Sequence, residues 1–459
     1  MNSTTTERGK WSSKIGFILA AAGSAIGLGN IWKFPYMTYT NDGGAFVLTY
    51  LLAILTIGLP IMIAEIIIGR KTQLSPVGAM KALGGKRWSW LGWLGVSTGF
   101  IILSYYSVVA GWTMEYVLKS LTGAFENQTN DQVTQQFVDF ISNPSRQLFW
   151  HALFMGITIF VVTGGVSRGL ERAARILMPI LFIIILVLVA LALSTEGAGR
   201  AVKFLFRPNF SELSGAGFLE ALGHAFFSLS LGMGAMITYG SYMSKEDSIP
   251  NAALTVTLLD TLIAILACLM IFPIIMTFDL VPTKSAGILF TTLPVVFMKL
   301  PGGSIFSVLF FTLVAFAALT SAISLLEVVA SYMIDEMKWK RKKATIITGT
   351  AIFIFGSFSA LSNGGVSWLS DFNIWGRETT FGFFNTFDYL ASNYLLPIGG
   401  FFIAIFAGWK LTRALKIEEL KSEEKTFFNY PVWEILIRYL APLAVGSILI
   451  AVFLGREFQ

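Results

Sequence analysis

The sequence predicts an all-α integral membrane protein with 11 transmembrane helices, arranged as two inverted five-helix repeats in which helices 1 and 6 are unwound. Three observations support this. Of 459 residues, 55% are hydrophobic and only 13% are charged, about half the usual charged share. Eleven apolar stretches approach the roughly 20 residues needed to cross a hydrocarbon core. Two of them, in corresponding positions of the two halves, carry Gly-x-Gly at mid-depth.

The stretches fall at roughly 15–36, 44–69, 89–119, 148–163, 170–194, 217–241, 250–278, 303–335, 344–361, 386–409 and 432–455. Ile176–Leu193 runs without a charge, which no soluble core helix needs. Backbone groups in lipid must be satisfied internally, so these are helices. The period-two alternation of an outer-membrane barrel is absent from the sequence. Residues 1–459 read as a single transmembrane domain, with 15–194 as the first repeat, 217–410 as the inverted second and 432–455 as an additional helix.

Lys and Arg set the orientation. With the N-terminus inside, 23 of the 33 fall in cytoplasmic segments, which predicts a multi-pass protein of the cell membrane with its C-terminus outside. The net charge of +6 is therefore a topology signal, and no nucleic-acid partner is expected. One cysteine excludes a disulfide framework, and two histidines leave little for zinc. No nucleophile–base pair is visible, so the chain is not read as an enzyme. Lys14–Ala25 imitates a signal-peptide core, but its small residues run directly into a Gly-rich segment with another use.

That segment is Gly23-Ser24-Ala25-Ile26-Gly27-Leu28-Gly29-Asn30, and its counterpart in helix 6 is Ser228-Leu229-Ser230-Leu231-Gly232-Met233-Gly234. One Gly-rich helix would be read as close helix packing. Matched breaks in inverted halves point instead to a secondary transporter with its site at the midplane. Unwound helices expose carbonyl oxygens, which suit a hard cation, and free N–H groups, which suit a carboxylate. A zwitterion accompanied by a cation is the natural cargo.

These residues resemble the neurotransmitter:sodium symporter family, especially its bacterial amino-acid members. The likeness extends through Trp11, Phe34-Pro35, Asn41–Phe46, Glu65-x-x-x-Gly69-Arg70, Tyr105-Tyr106 and Thr320-Ser321, covering helices 1 to 10. The resemblance implies two Na⁺ sites. The first would use Ala25, Asn30 (through its side-chain oxygen), Ser228 and Asp260. The second would use Gly23, Ile26, Ala317, Thr320 and Ser321. Taken alone, Thr320-Ser321 would be read as helix back-bonding.

Many relatives carry Asn where this chain has Asp260, and they bind chloride nearby. A mid-helix carboxylate is costly in a membrane and is a functional candidate by default. Beside Na⁺ it would supply the negative charge itself, with Tyr50 in reach and His224 tuning it; a neutral histidine in a polar pocket is the alternative for His224. By resemblance, Leu28, Gly29 and Tyr106 would hold the substrate carboxylate. The region of Ser24, Ala25, Phe227 and Ser230 would take the ammonium. Ile102, Tyr106, Phe227, Met233, Ser324 and Leu325 would line an uncharged side-chain subsite beside Ser228 and Ser321, which favours hydrophobic and aromatic α-amino acids. Gly27 stands where monoamine carriers have aspartate, leaving the carboxylate role to the substrate.

Lys33 with Asp388 would form the outer gate, and Arg8 with Asp335 the inner one, plugged by Trp11 and assisted by Ser241 and Tyr242. Glu65 is expected to accept hydrogen bonds from unwound helix 6. The reading is a sodium-coupled amino-acid importer working by alternating access, with lipid and a small amino acid as its partners and oligomeric state open. A proton-coupled carrier of the same architecture and a non-transporting sensor or channel are the alternatives. Gly169 and Pro179 in helix 5 resemble a family motif for local unwinding that admits water to the second sodium site; a plain proline kink is the other reading. Pro179→Ala is expected to slow inward sodium release about tenfold, measured as ²²Na⁺ efflux from proteoliposomes, and an unchanged rate would leave only the kink.

Overall fold

A computed structural model of the protein describes residues 9–211, 213–280, 288–421 and 428–456. Among these, nine helices are long and apolar enough to span a membrane: Gly44–Thr72, Lys86–Leu121, Pro144–Thr163, Val166–Leu193, Ile249–Thr277, Gly303–Asp335, Arg341–Leu361, Phe383–Lys410 and Tyr430–Phe453. They are helices 2–5 and 7–11. Helix 1 is a pair, Lys14–Ala25 and Gly29–Thr40, bent by 54°. Helix 6 is likewise two pieces, Gly215–Ser228 and Ala235–Gly240. Among the described residues the breaks thus fall in the two expected helices, 1 and 6.

Each break has a local cause. Ile26 leaves the helical region at φ −71°, ψ 105°, where Gly27 and Gly29 lower the cost of interrupting the ladder. In helix 6, Gly232 and Gly234 adopt φ of 83° and 76°, and Ser230 adopts 55°. Glycine takes positive φ without a Cβ clash, but serine does so at a cost. The Ser230 hydroxyl donates to the Ser24 carbonyl at 2.9 Å, so that strained residue ties one break to the other.

Helix 3 packs along helix 8, while the first half of helix 1 is enclosed by helices 5, 7 and 8. The two halves of helix 6 lie against helix 2. Shorter helices cap the bundle, including Asn130–Ile141 with a Thr129/Gln132 capping box, Ala198–Phe206 and Arg413–Leu420. These are too short or too polar to register as spans. Arg413–Leu420 is clasped to the end of helix 2: Arg70 Nε meets Glu419 Oε2 at 2.9 Å, both nearly buried, and Arg70 Nη1 donates to the Asp247 carbonyl at 2.6 Å. Lys71 donates to Glu418 at 2.9 Å and holds that exposed carboxyl below the usual carboxylate range.

Helix 2 approaches the second half of helix 6 closely enough that a Cβ on Gly69 would run into the Ile237 carbonyl and sit 2.9 Å from the Ser241 nitrogen. Backbone cannot yield as a flexible side chain does. Gly69→Ala is expected to destabilise the protein by about 1–3 kcal/mol, read as a lowered Tm in detergent.

Candidate substrate and cation site

The break in helix 1 faces helix 8. The Ser321 hydroxyl lies 3.4, 3.2 and 3.3 Å from the carbonyl oxygens of Gly23, Ser24 and Ile26. One hydroxyl proton serves one of these acceptors at a time, so oxygen lone pairs are in excess. A Cβ on Gly23 would stand 3.0 Å from Thr320 Cβ and 3.1 Å from Met178 Sδ, which places Gly23 against helices 8 and 5. Thr320 Oγ1 is 3.0 Å from the Ala317 carbonyl. Gly23, Ile26, Thr320 and Ser321 therefore lie together, with Ala317 one turn before Thr320 on helix 8. Thr320 turns its hydroxyl back into its own helix and its Cβ and methyl group towards Gly23.

The second cluster surrounds Asp260, which is fully buried. Its Oδ2 accepts from Ser228 Oγ at 2.8 Å and Tyr50 Oη at 3.2 Å, and its Oδ1 accepts from Asn30 Nδ2 at 2.7 Å. Asn30 joins this cluster to the break of helix 1. The Asn30 oxygen, expected to face a cation, instead accepts the Gly27 N–H at 3.1 Å, and its nitrogen turns to Asp260. The reason is electrostatic, because a buried carboxylate draws the nearest N–H donor, and turning the amide over would exchange the two atoms. His224 lies among aromatic rings. Its ring stacks on Phe34 with centroids 5.4 Å apart and packs on Tyr50. Neither ring nitrogen has a hydrogen-bond partner among the described residues. It borders Asp260 through Tyr50 and makes no bond to it.

Between the clusters, a Cβ on Gly27 would lie 2.8 Å from Ser321 Oγ and 3.2 Å from Tyr106 Oη. Tyr106 Oη is buried here, beside Ser321 and the Leu28 backbone. Ser24 donates to Ser324 at 2.7 Å. Ala25, Leu28, Ile102, Met233 and Leu325 are buried around the breaks, and Gly29 lies against the Phe227 ring.

On the side reached by the second half of helix 1, Lys33 Nζ sits 4.7 Å above the Phe227 ring, and its charge reaches Asp388, which also accepts from Ser392 at 3.5 Å. At the opposite end Trp11 is buried, donating to the Tyr239 carbonyl at 3.0 Å and packing edge-on against Tyr239 and Tyr242. Asp335 accepts the Ser75 N–H at 2.5 Å; Arg8, its expected partner, lies outside the described residues. Tyr242 donates to Glu327 at 2.6 Å, and Glu327 is paired with Arg341 at 2.7 Å. The sequence reading missed Glu327, although a carboxylate in an apolar span was a signal. Glu65 is fully buried and accepts the Gly232 N–H at 2.8 Å, as expected.

A helical bundle whose first and sixth spans break beside oxygen-rich clusters has the architecture of an ion-coupled membrane carrier. A model of the sodium:neurotransmitter symporter family matches residues 8–149 and 141–451. An uncharacterized sodium-dependent transporter of Bacillus subtilis, YhdH, is 39% identical over 95% of this chain and 96% of its own length. A sodium-dependent transporter of Methanocaldococcus jannaschii, MJ1319, is 36% identical over 88% of this chain and 82% of its own. The crystal structure of MhsT in complex with L-phenylalanine superposes with a TM-score of 0.88 at 42% identity, over 97% of this chain and all of MhsT. The chain belongs to the sodium:neurotransmitter symporter family, whose members here are transporters and not enzymes. It is a multi-pass membrane protein that uses Na⁺.

Removing Glu65 would leave the Gly232 N–H without its acceptor inside the bundle. Glu65→Ala is expected to cost about 1–3 kcal/mol, and Glu65→Gln, which keeps an acceptor oxygen, distinctly less. Thermal unfolding of the two purified variants in detergent separates them.

Proposed function

We propose that this protein is a sodium-coupled symporter importing hydrophobic and aromatic α-amino acids by alternating access, without a need for chloride. The observation that carries the reading is the pair of oxygen-rich clusters flanking the buried Tyr106 hydroxyl at the break of helix 1. One Na⁺ would be held by the Gly23, Ile26 and Ala317 carbonyls with the Thr320 and Ser321 hydroxyls. A second would sit with Ala25, Ser228, Asp260 and Asn30, the last with its amide turned over. Oxygen shells of this kind suit a hard cation. Asp260 would supply the charge that relatives take from chloride.

The substrate carboxylate would take the Tyr106 hydroxyl and the N–H groups of Leu28 and Gly29. The ammonium would face carbonyls near Ala25, Phe227 and Ser230. Ile102, Met233, Ser324 and Leu325 bring no charge to the side chain, so aliphatic and aromatic residues fit and acidic or basic ones do not. The L-phenylalanine bound by MhsT is in keeping with this. Lys33, Phe227 and Asp388 would close the outside. Trp11, Tyr242, Asp335 and Arg8 would close the cytoplasmic side, with the N-terminus inside, the C-terminus outside and the whole chain acting as one transport domain. Two Na⁺ crossing 100 mV supply about 4.6 kcal/mol, enough for accumulation of order a thousandfold.

Uptake of labelled phenylalanine into proteoliposomes is expected to require an inward Na⁺ gradient and to persist when gluconate replaces chloride. Asp260→Asn is expected to lower uptake about tenfold or more and to make the remainder respond to chloride. Uptake driven by a proton gradient in sodium-free buffer would favour a proton-coupled carrier, and strict chloride dependence of the wild type would remove the role given to Asp260.

A further inference from the structure

A carboxylate outside the site just described holds the start of helix 1. Glu171 lies at the first turns of helix 5, at the end of the π-helical stretch Val166–Glu171, and is 1% exposed. Its Oε2 accepts the Ser12 N–H at 2.7 Å, and its Oε1 accepts the Ser12 hydroxyl at 2.6 Å and the Ser13 hydroxyl at 3.4 Å. Arg175, one turn on, donates to the same Oε1 at 2.7 Å and to Ser13 Oγ at 2.6 Å. Ser13 also caps helix 1 by accepting the Gly16 N–H at 2.9 Å. Nearby, the Ser167 hydroxyl donates to the Lys10 carbonyl at 2.7 Å.

An ion pair within helix 5 would need only Arg175. Here both carboxylate oxygens are also turned to the N-terminal segment, and a negative charge beside the N-terminus of helix 1 is favourable to its dipole. Gly16 makes room for this, because a Cβ there would overlap the Glu171 carboxylate. Further along the same two helices, Gly23 of the cation cluster lies against Met178, which is fully buried. Helix 1 is thus held to helix 5 at two levels, one at the oxygen cluster and one at its entry into the bundle. The first half of helix 1 cannot tilt away from helix 5 while Glu171 keeps its hydrogen bonds.

We propose that Glu171 is a positioning residue of the cytoplasmic gate: its carboxylate latches the start of helix 1 to helix 5 while the cation cluster is shut, and releases it for the ion to leave. This rests on the transport reading above. Hydrogen bonds to a charged group are strong enough that losing the latch shifts an open–closed equilibrium about tenfold.

The test uses the full chain in proteoliposomes. Cys268→Ser removes the one native thiol, and Met178→Cys places a reporter on the seam between helices 1 and 5. Sodium is expected to protect this thiol from a methanethiosulfonate reagent. Adding Glu171→Gln is expected to raise the labelling rate in sodium about tenfold and to raise the KM for sodium by a similar factor with little change in kcat. Glu171→Asp should restore part of the protection. The double substitution Ser12→Ala and Ser13→Ala, which leaves Glu171 paired to Arg175, should move both readouts the same way by a smaller factor. Labelling at the protected wild-type rate in both Glu171→Gln and the serine variant would overturn the latch alone. If Glu171→Gln does not assemble, the serine variant decides in the same terms. A wild-type reporter indifferent to sodium would instead overturn the latch together with the transport reading beneath it.

Discussion

Every backbone N–H and C=O released where a helix breaks inside a membrane needs a partner, because lipid offers none. Helices 1 and 6 both break at mid-depth, and the surrounding structure is arranged around the groups this frees. Glu65 takes the Gly232 N–H, Asn30 takes the Gly27 N–H, and the hydroxyls of Ser321 and Ser230 reach the carbonyls of the helix 1 break. Each partner is a buried polar side chain on an otherwise apolar span. Those side chains stay because the exposed backbone needs them, and the exposed backbone leaves carbonyl and N–H groups facing one another at the centre of the bundle.

The same constraint explains the close packing of the glycines. Gly69 lets helix 2 meet the second half of helix 6 at backbone distance, which brings Glu65 of the same helix to the break. Gly23 brings helix 1 against Thr320 and Met178. Gly27 leaves room beside Tyr106 and Ser321. A methyl group at any of these positions would push apart elements whose polar groups must meet within hydrogen-bond distance.

The ends of the bundle follow a different logic. Trp11 with Tyr239 and Tyr242, Glu327 with Arg341, Arg70 with Glu419, and Glu171 with Ser12, Ser13 and Arg175 all tie separate chain segments together by hydrogen bonds and ion pairs. Such contacts can be exchanged between partners or for water, whereas a packed apolar seam cannot be opened without exposing its surface. The ends of the bundle are thus joined by polar contacts, while its middle is joined by close backbone packing.

Much of this was legible in the chain itself. Spans could be located because crossing a bilayer imposes a length and a scarcity of charge, and both are properties of consecutive residues. The breaks could be located because Gly-x-Gly at mid-span is a local signal, and Glu65 and Asp260 because a carboxylate there is conspicuous. The rest depended on distance in space. No sequence pattern says that the Asn30 amide presents its nitrogen to Asp260, that His224 lies among aromatic rings with no hydrogen bond to that carboxylate, or that Glu171 reaches back to Ser12. Hydropathy and spacing determined which residues lie in the membrane and where its helices break. Only the tertiary structure decided which polar atoms face one another, because that is set by rotamers and by contacts between segments far apart in the chain.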